Sequence, residues 1–480
     1  MKKIVYALLL SVLLAASCSE EADFSSNPSL RLQFSCDTLM FDTLFTAVGS
    51  PTAKMKVYNR NSSSLRISNV RLASGGSSGF RMNIDGQSSN IISDIEIRKN
   101  DSIYIFVEAT LDKNSSDVPL FVSDSLLFTL ESGVQQGITL LAFGRDVEFM
   151  KGKVFETNSN IARGHYIIYD SLVVSNGVEL TIDAGTILYF HKDAVINVRG
   201  TLKAIGEHGS PIVMRGDRTD NMFDYLPYDN IPGQWGGVTF DSLSNNNILK
   251  HCDIHSAKYG ILVQRGDTSA QRLTIESSII ENFDGNALET LMARVNVSNS
   301  LIANARGNCV KVVGGSVEFV HCTIANFYIW KQRDVALALH NSIDGKPAPL
   351  RNALFANCII TGSRTDELMG YLTQFGDTLS NIANYRFCSS LINTIADEEN
   401  ERFADIVYDD KSVRPFAKEH FRLIDNEEFR YDFHLSDSTS ARGIADSHYS
   451  QQLRYDLDGV ERPLENADAG CFQYVPLDME

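Results

Sequence analysis

The feature that most constrains the fold is a phrase that recurs through the second half of the chain. It reads apolar-x-apolar-x-x-(Cys or Ser)-x-Ile, and its small sixth residue is called the anchor below. Successive anchors are separated by 26, 22, 22, 36 and 32 residues. A short, β-rich period with loop-sized excesses is typical of a solenoid built from strands. The anchors are Cys252, Ser278, Ser300, Cys322, Cys358 and Ser390.

A second apolar strand accompanies the phrase. Leu262, Leu288 and Val310 are separated by 26 and 22 residues, in step with the anchors, which predicts two ladders of stacked strands. A polar residue also recurs four places after the anchor, where stacked asparagines can hydrogen-bond one another at a corner of each rung. These corner residues are Ser256, Asn282, Asn304 and Asn326.

Three anchors are cysteines, which we expect to point inward and to behave as small apolar residues. The spacing of Cys252, Cys322 and Cys358 suggests that no two of them occupy neighbouring repeats, so no disulfide ladder is expected. The seven cysteines that follow Cys18 contain no CxxC pair and no zinc-type spacing.

The run between Leu180 and Ile212 contains Leu-Thr-Ile, Ala-Gly-Thr, Gly-Thr-Leu, Gly and Pro-Ile in that order. This order resembles the first rungs of right-handed parallel β-helices of the pectate-lyase-like superfamily. The resemblance covers residues 155–440 and implies that fold. It does not imply a reaction, because one fold hosts many functions.

The end of the chain, Asp456–Pro463 followed by Asp468–Phe472, resembles the closing segment of many secreted bacterial β-helix proteins. The resemblance implies a C-terminal cap over 441–480 that covers the open end of the helix, where strand edges would otherwise be unpaired. The acidic stretch 395–430 is interpreted as a long surface loop or a loosened final rung.

Residues 30–145 alternate apolar and polar side chains with period two, in short runs separated by Gly, Ser, Asn and Asp clusters. This pattern predicts an antiparallel β-sandwich. Phe41–Ser50 and Lys56–Asn61 resemble the immunoglobulin-like module near the N-terminus of many Bacteroidetes surface lipoproteins. Residues 144–152 are interpreted as a linker. The predicted fold class is therefore all-β, an immunoglobulin-like β-sandwich followed by a right-handed parallel β-helix solenoid.

The first 18 residues are predicted to be a lipoprotein signal peptide. Lys2 and Lys3 precede an apolar run too short to span a bilayer, which ends in small residues and Cys18. This ending is similar to a bacterial lipobox, which implies that Cys18 carries the lipid. The acidic residues that follow resemble a surface-export tag of Bacteroidetes lipoproteins. We therefore expect an outer-membrane lipoprotein, exposed on the surface of a Gram-negative cell.

The formal net charge of −17 argues against nucleic acid as a partner, because nucleic acid requires a basic face. The expected partners are the outer membrane, reached through the lipid, and a polysaccharide or a surface protein. The sequence indicates no cofactor and leaves Ca²⁺ open.

His251, Asp253 and His255 form the one local cluster that looks like metal ligands. If Cys252 and Ile254 face inward, these three side chains face outward together. On an extended strand the two histidines would lie about 13 Å apart, too far for one metal ion unless the chain turns. Solvated residues on a rung face are therefore the simpler interpretation.

The loop before Trp235 is rich in acids and aromatics. Close carboxylates are what glycoside hydrolases need, and aromatic rings with polar neighbours suit a sugar platform. A loop that merely shields the side of the helix explains the same residues. The candidate carboxylates are Asp217, Asp220, Asp224 and Asp229, and the candidate ligand-binding aromatics are Tyr225, Tyr228 and Trp235.

Polysaccharide lyases on this fold stack acidic Ca²⁺ ligands beside a Lys or Arg base, and no repeat position shows that stack in the sequence. Glu289 and Lys311 fall at equivalent positions of adjacent rungs, which predicts a cross-strand ion pair. Two hypotheses remain. The favoured one is a non-catalytic surface lipoprotein whose β-helix binds glycan or protein, and the alternative is a polysaccharide lyase or glycoside hydrolase.

Overall fold

The computed structural model describes residues 23–114, 118–223, 225–376, 382–397, 399–409 and 417–476. The chain divides into two compact units, one up to Asp146 and one from Val147. The predicted linker over 144–152 is wrong, because strands run to Arg145 and start again at Glu148. The predicted signal peptide and Cys18 lie outside the described residues.

The first unit is a sandwich of two five-stranded sheets, as predicted, but it is not wholly antiparallel, because Thr38–Phe45 pairs in parallel with Gln135–Arg145. Side chains from both sheets meet in one core. In it the ring centroid of Phe34 lies 4.9 Å from that of Phe128, and the ring centroid of Phe41 lies 5.6 Å from that of Phe80. The first sheet contains, in spatial order, Gln33–Phe34, Ala53–Asn59, Asp101–Ala109, Phe80–Ile84 and Gln87–Ser89. The second contains Thr38–Phe45, Gln135–Arg145, Leu120–Leu130, Leu65–Leu72 and Ile91–Ile97.

The second unit is a parallel β-helix whose 26 paired strands form three ladders. The first ladder contains Glu148–Phe155, His165–Val174, Ile187–Phe190, Ile212–Gly216, Cys252–His255, Ile279–Phe283, Leu301–Ala305, Thr323–Asn326, Ile359–Gly362, Leu391–Ile392 and Val407–Tyr408. The second contains Val195–Val198, Gly237–Phe240, Ile261–Val263, Leu337–His340 and Leu368–Tyr371. The third contains Ser159–Ile161, Glu179–Ile182, Thr201–Ile205, Asn247–Lys250, Leu273–Glu276, Leu350–Ala356, Arg386–Cys388 and Phe403–Ala404.

Four long strands bend and take part in two ladders each. Glu148–Phe155 and His165–Val174 run from the first ladder into the second, and Leu288–Ser298 and Val310–Val320 run from the second into the third. The repeated phrase contributes one strand to the third ladder and one strand to the first, joined by a bend. In the sequence these two strands look like a single unit, which is why two ladders were predicted instead of three.

The bend inside the phrase lies at the residue before the anchor, which adopts a left-handed backbone conformation in every copy. At this residue the chain turns from one face of the β-helix to the next. Asn, Ser and His adopt the left-handed backbone conformation more readily than β-branched residues do. The residues are His251, Ser277, Asn299, His321, Asn357 and Ser389, with φ between 45° and 54°.

The anchor is small and polar because its side chain bonds the backbone of the bend. Ser300 Oγ donates to the carbonyl of Ser298 at 2.7 Å and accepts from the N–H of Ser278 in the adjacent rung at 3.1 Å. Ser278 Oγ does the same with Glu276 and Cys252, at 2.9 and 3.1 Å. The serine anchors thus use their hydroxyl as a bridge between rungs, in addition to filling a small site. The thiol of the cysteine anchor Cys322 instead lies 3.5 Å from the carbonyl oxygens of Val297 and Val320.

The corner position four residues after the anchor is structural, as predicted, but its partners differ. Asn326 donates to the carbonyl of Ala305 at 2.9 Å and accepts from its N–H at 3.3 Å, and the Asn304 side-chain oxygen accepts from the N–H of Phe327 at 3.0 Å. The amides therefore bond the backbone of the neighbouring rung and not each other.

Cys322 and Cys358 do occupy neighbouring rungs, because the first ladder pairs Thr323 with Ile359. The 36-residue step between them contains the inserted loop 327–336 and no additional rung. The described cysteines, including these two, are free thiols. The predicted ion pair is confirmed, with Lys311 Nζ 2.9 Å from Glu289 Oε1.

The segment that was expected to cap the open end lies along the side of the helix instead. Leu301, Ala325 and Ile359 point outward from the first ladder and form one buried cluster with Phe433 and Phe472. An outer strand face this apolar must be covered, and residues 417–476 cover it. The stretch 395–430 is in part a final rung, as one of the two interpretations held, with short strands Phe403–Ala404 and Val407–Tyr408.

The remaining elements are short. None of the residues described here forms a helix with the length and hydropathy that crossing a bilayer requires. The hairpins are Asn221–Phe223 with Leu226–Pro227, Ser342–Ile343 with Lys346–Pro347, and Phe421–Asp425 with Arg430–Leu435, and the helical turns are Tyr228–Asn230, Lys418–His420 and Ser447–Ser450.

The inter-rung bridge can be tested at Ser300, whose side chain is fully buried. We expect Ser300→Ala to lower the free energy of unfolding by about 1–3 kcal/mol, because it leaves the N–H of Ser278 without its partner. Ser300→Cys is the matched control, since cysteine serves as the anchor in other rungs, and we expect it to cost less. Denaturant unfolding followed by circular dichroism checks this, and equal losses in the two variants would contradict the bridge.

Candidate functional site

The outer face of the first ladder carries three ionisable side chains in consecutive rungs. In each of these rungs the side chain lies three residues after the anchor position. The three residues are Arg215, His255 and Glu281, and His255 pairs directly with Glu281 in the parallel register. Adjacent rungs are about 4.8 Å apart, so these side chains stack along the helix axis. In the next two rungs the same position holds Ala303 and Ala325. The polar row therefore ends at Glu281.

His255 is held between two carboxylates. Its Nδ1 lies 2.7 Å from Asp253 Oδ1 on the same strand, and its Nε2 lies 2.9 Å from Asp229 Oδ1 in the loop before Trp235. Burial lowers the pKa of His255, but the charge of Asp253 and the bonds to both carboxylates outweigh it and raise the pKa to about 10. His255 is therefore an imidazolium at neutral pH, with both nitrogens donating, and it cannot serve as a general base there.

Asp229 is the residue that ties the loop to this row. Its second oxygen lies 2.9 Å from Arg215 Nη1, so one carboxylate bridges Arg215 and His255. Burial raises the pKa of Asp229, but His255 and Arg215 lower it by more, and the carboxyl stays ionised. The hydroxyl of Ser256 also donates to the Asp229 carbonyl. Side chain and backbone of Asp229 are thus both clamped to the first ladder.

Glu281 differs from its neighbours because no cation neutralises it directly. Among the residues that the structure describes, none donates a hydrogen bond to its carboxyl group. Burial and the charge of Asp253 raise the pKa of Glu281 to about 7, although His255 acts in the opposite direction. Tyr431 of the C-terminal hairpin lies close enough for the Glu281 charge to contribute to the raised pKa of its hydroxyl. Glu281 therefore exchanges a proton near neutral pH, at the margin of the apolar cover.

The loop between Gly216 and Trp235 carries an exposed aromatic pair. Phe223 and Tyr225 flank the turn of the small hairpin, with ring centroids 5.8 Å apart and planes at 15°. Their exposed fractions are 54% and 52%, which is unusual for two neighbouring aromatics. The base of the loop is held by Asp229 and by Gln234, whose amide donates to the Ile231 carbonyl at 2.9 Å.

Two of the three aromatic candidates do not form a platform. Trp235 is fully buried, stacks on Phe190 at 4.2 Å and donates its indole N–H to the His255 carbonyl at 2.8 Å. Trp235 lies two residues before the strand Gly237–Phe240, pairs with Ala257 in an isolated parallel bridge and belongs to the core of the β-helix. The ring of Tyr228 is covered by Arg218, at 3.7 Å. Of the predicted aromatics, Tyr225 is the one that presents its ring to solvent, together with Phe223.

The acidic candidates do not converge on one point. Asp217 lies 2.7 Å from His191 Nδ1, and Asp220 accepts from Arg218 at 2.6 Å. Asp229 alone reaches the polar row, and Asp224 lies outside the described residues. The described carboxylates of the loop therefore each have their own basic partner and do not form the close pair that a glycoside hydrolase requires.

The histidine cluster is divided by the bend. His251 has a φ of 45°, so the period-two alternation that placed it beside Asp253 and His255 fails at this residue. Burial lowers the pKa of His251, with Lys250 acting in the same direction. Within the described part of the chain, no group of three or more His, Cys, Asp or Glu side chains is arranged to hold a metal ion.

Sequence reasoning missed Arg215 as a site residue and missed Glu281 entirely. The signal was present, since Glu281 follows Ser278 as His255 follows Cys252, three residues after each anchor. Arg215, His255 and Glu281 form a row of two cations and one acid, which differs from the stacked acids beside a Lys or Arg that a lyase site would show.

No protein-family model matches this chain, and no curated protein matches it in sequence. The chain is similar to a family 123 glycoside hydrolase from Clostridium perfringens at 12% identity and a TM-score of 0.18, covering 24% of this chain and 26% of that chain. It is similar to a protein of unknown function from Porphyromonas gingivalis W83 at 13% and 0.19, covering 28% and 61%. It is also similar to the ASH/PapD-like domain of human CEP192 at 7% and 0.17, covering 27% and 95%. The chain spans about a quarter of the hydrolase, and at these scores the similarities carry no argument about function.

The ion pairs of Asp229 with Arg215 and His255, called the clamp below, predict that the folded protein loses stability at alkaline pH. Because the pKa of His255 is raised in the folded state, its contribution is complete below the ordinary histidine pKa of 6.5 and is lost as the pH rises towards about 10. We expect a loss on the order of 1–3 kcal/mol over this window. Thermal unfolding of the wild type and of His255→Gln at pH 6.5 and pH 10 measures it.

The wild type should lose more stability than His255→Gln between these two pH values, because glutamine has no proton to lose there. The matched control is His448→Gln, which replaces an exposed histidine of the C-terminal segment and leaves the loop clamp intact. Identical pH dependence in the wild type and His255→Gln would show that the clamp contributes nothing.

Proposed function

We propose that this protein is a lipid-anchored protein of the Gram-negative cell surface whose β-helix binds glycan without cleaving it. The observation that carries the proposal is the exposed Phe223–Tyr225 pair on a loop whose base is clamped by ion pairs. A glycan platform needs an aromatic surface held at a fixed position, because a preorganised site loses less entropy on binding. The ion pairs of Asp229 with Arg215 and His255 fix the base of the loop that carries this pair, which supports the proposal.

The chemistry of the polar row supports binding over catalysis. His255 is held as an imidazolium by Asp229 and Asp253, and Asp229 is neutralised by Arg215 as well. A nucleophile or general base requires a group that is available to change its partner during the reaction. The side chains of Arg215, Asp229, Asp253 and His255 are instead committed to one another.

A second candidate function rests on Glu281 alone. A carboxyl group with a pKa of about 7 beside an imidazolium is suited to proton donation, and glycoside hydrolases use such a group as the acid. The second candidate is therefore a polysaccharide-cleaving enzyme with Glu281 as its general acid.

The first measurement is binding and product release by residues 19–480 across a polysaccharide panel, with and without Ca²⁺. We expect retention of at least one polysaccharide without new reducing ends and without unsaturated uronate absorbance. Combined substitution Phe223→Ala and Tyr225→Ala should weaken that retention at least about tenfold, as loss of an aromatic anchor does at binding sites.

Tyr455→Ala is the matched control, because Tyr455 is exposed to a similar degree on the C-terminal segment. New products would replace the binding proposal by the second candidate. In that case Glu281→Gln should lower kcat by about 100-fold or more and leave retention unchanged. If an immobilised surface protein retains this protein and no polysaccharide does, the Phe223–Tyr225 platform is assigned to a protein partner.

The anchor is tested at Cys18. We expect Cys18→Ser to move the protein from the outer-membrane fraction to the periplasm or the medium, since serine cannot accept the thioether-linked lipid. Labelling with a fatty-acid analogue should mark the wild type and not the variant. Accessibility of the wild type to protease added to intact cells then separates the surface from the inner leaflet, and labelling of Cys18→Ser would contradict the assignment.

A further inference from the structure

We propose that the N-terminal sandwich carries a separate binding site for a neutral saccharide, in the groove beside Phe106 on the outer face of its first sheet. This goes beyond the proposed function, which places binding on the β-helix.

The strand Asp101–Ala109 presents two aromatic rings to solvent. Its alternate residues Ile105 and Val107 are fully buried, whereas Tyr104 and Phe106 point outward with 46% and 39% exposure. The two rings lie 6.2 Å apart at 20°. The solvent face of an antiparallel sheet is normally polar, so adjacent exposed rings in the middle of a sheet mark a binding surface more often than a structural need.

Phe106 forms a ridge between two grooves. One groove, of about 540 Å³, is lined by Thr52, Arg81, Asn83 and Glu108 as well as by Phe106. The other, of about 600 Å³, lies on the opposite side of the same ring and is bordered by Tyr104 and acidic side chains. Both volumes fall in the range of small-molecule sites. The first groove combines one aromatic face with several polar groups, which is the pattern a pyranose requires.

The polar side chains of the first groove are held in position by single hydrogen bonds. Arg81 Nη2 donates to Thr110 Oγ1 at 2.8 Å, Asn83 Nδ2 donates to Ser88 Oγ at 2.8 Å, and Thr52 Oγ1 donates to Glu108 Oε1. A guanidinium has five donors and a carboxylate has about four acceptor sites, so each group keeps capacity for ligand hydroxyls. They are therefore both oriented and able to bind.

The charge of this groove favours a neutral ligand. Arg81 and Glu108 lie opposite each other in register on neighbouring strands and balance one another. The second groove contains Asp85, Asp94 and Glu96 and would repel a uronate. A peptide added to the edge strand Gln87–Ser89 is less favoured, because that strand is only three residues long.

The test is calorimetric titration of residues 19–480 with neutral hexasaccharides (gluco-, xylo- and manno-configured) and with oligogalacturonate. We expect at least one neutral hexasaccharide to bind, and Phe106→Ala to weaken that binding at least about tenfold. Glu108→Gln should weaken it by a smaller factor, and oligogalacturonate should not bind at this site. These substitutions replace exposed or half-buried side chains, so the fold is preserved, as circular dichroism can verify.

Phe121→Ala is the matched control, because Phe121 is 54% exposed on the second sheet and lines neither groove. The double variant Phe223→Ala, Tyr225→Ala separates this site from the β-helix platform, since it should leave the Phe106-dependent binding intact. The inference is overturned if no neutral hexasaccharide binds, or if Phe106→Ala binds as the wild type does. It is equally overturned if the double variant alone abolishes saccharide binding, an outcome that would support the proposed function.

Discussion

The parallel register between rungs is the constraint on which the rest of the β-helix depends. Each strand pairs residue for residue with the strands one repeat before and after it, so every side chain meets its equivalent about 4.8 Å away. Inside the helix this favours like residues, and Phe319, Phe355, Phe387 and Phe403 stack at 4.9–5.0 Å along the third ladder. Outside, stacked charges must alternate in sign or recruit a counter-ion from elsewhere. The outer row of the first ladder follows this rule, because Arg215 and His255 are neighbours of like charge until Asp229 enters from the loop and neutralises both.

Much of the fold could be predicted from the sequence, because each rung of the β-helix repeats the same pattern of apolar and small residues. The anchors gave the rung positions, and the period-two runs gave the strands of the sandwich. The bend could not be recognised, since a left-handed residue such as His251 or Asn299 looks like any polar residue in a strand. The position of the C-terminal segment was missed for a related reason. Its apolar contacts are with outward side chains such as Leu301 and Ile359, which the phrase allows to be anything.

The site was predictable only in pieces. Asp229, Asp253 and His255 were named, but in two separate clusters, because the loop is 26 residues away from the histidine that it contacts. Trp235 was misassigned because an aromatic next to an acidic loop resembles a platform, whereas its side chain stacks on Phe190 inside the core of the β-helix. Glu281 shares its place three residues after an anchor with His255, but nothing local in the sequence indicates its raised pKa. That shift comes first from burial and then from the charge of Asp253 on the adjacent rung, which is close to Glu281 only in the folded chain.

The C-terminal segment 417–476, which covers part of the first ladder, explains where the row of Arg215, His255 and Glu281 ends. The outer face of the first ladder is largely apolar from Leu301 onward and is buried by residues 417–476, with Thr323 and Thr361 as hydrogen-bonded exceptions. The rungs before it carry Arg215, His255 and Glu281. Glu281 is the last polar residue before that boundary, so its carboxyl is desolvated by the cover without receiving a donor from it. A change in what covers this edge would therefore change the proton affinity of Glu281 more than that of Asp229, which is fixed by two cations.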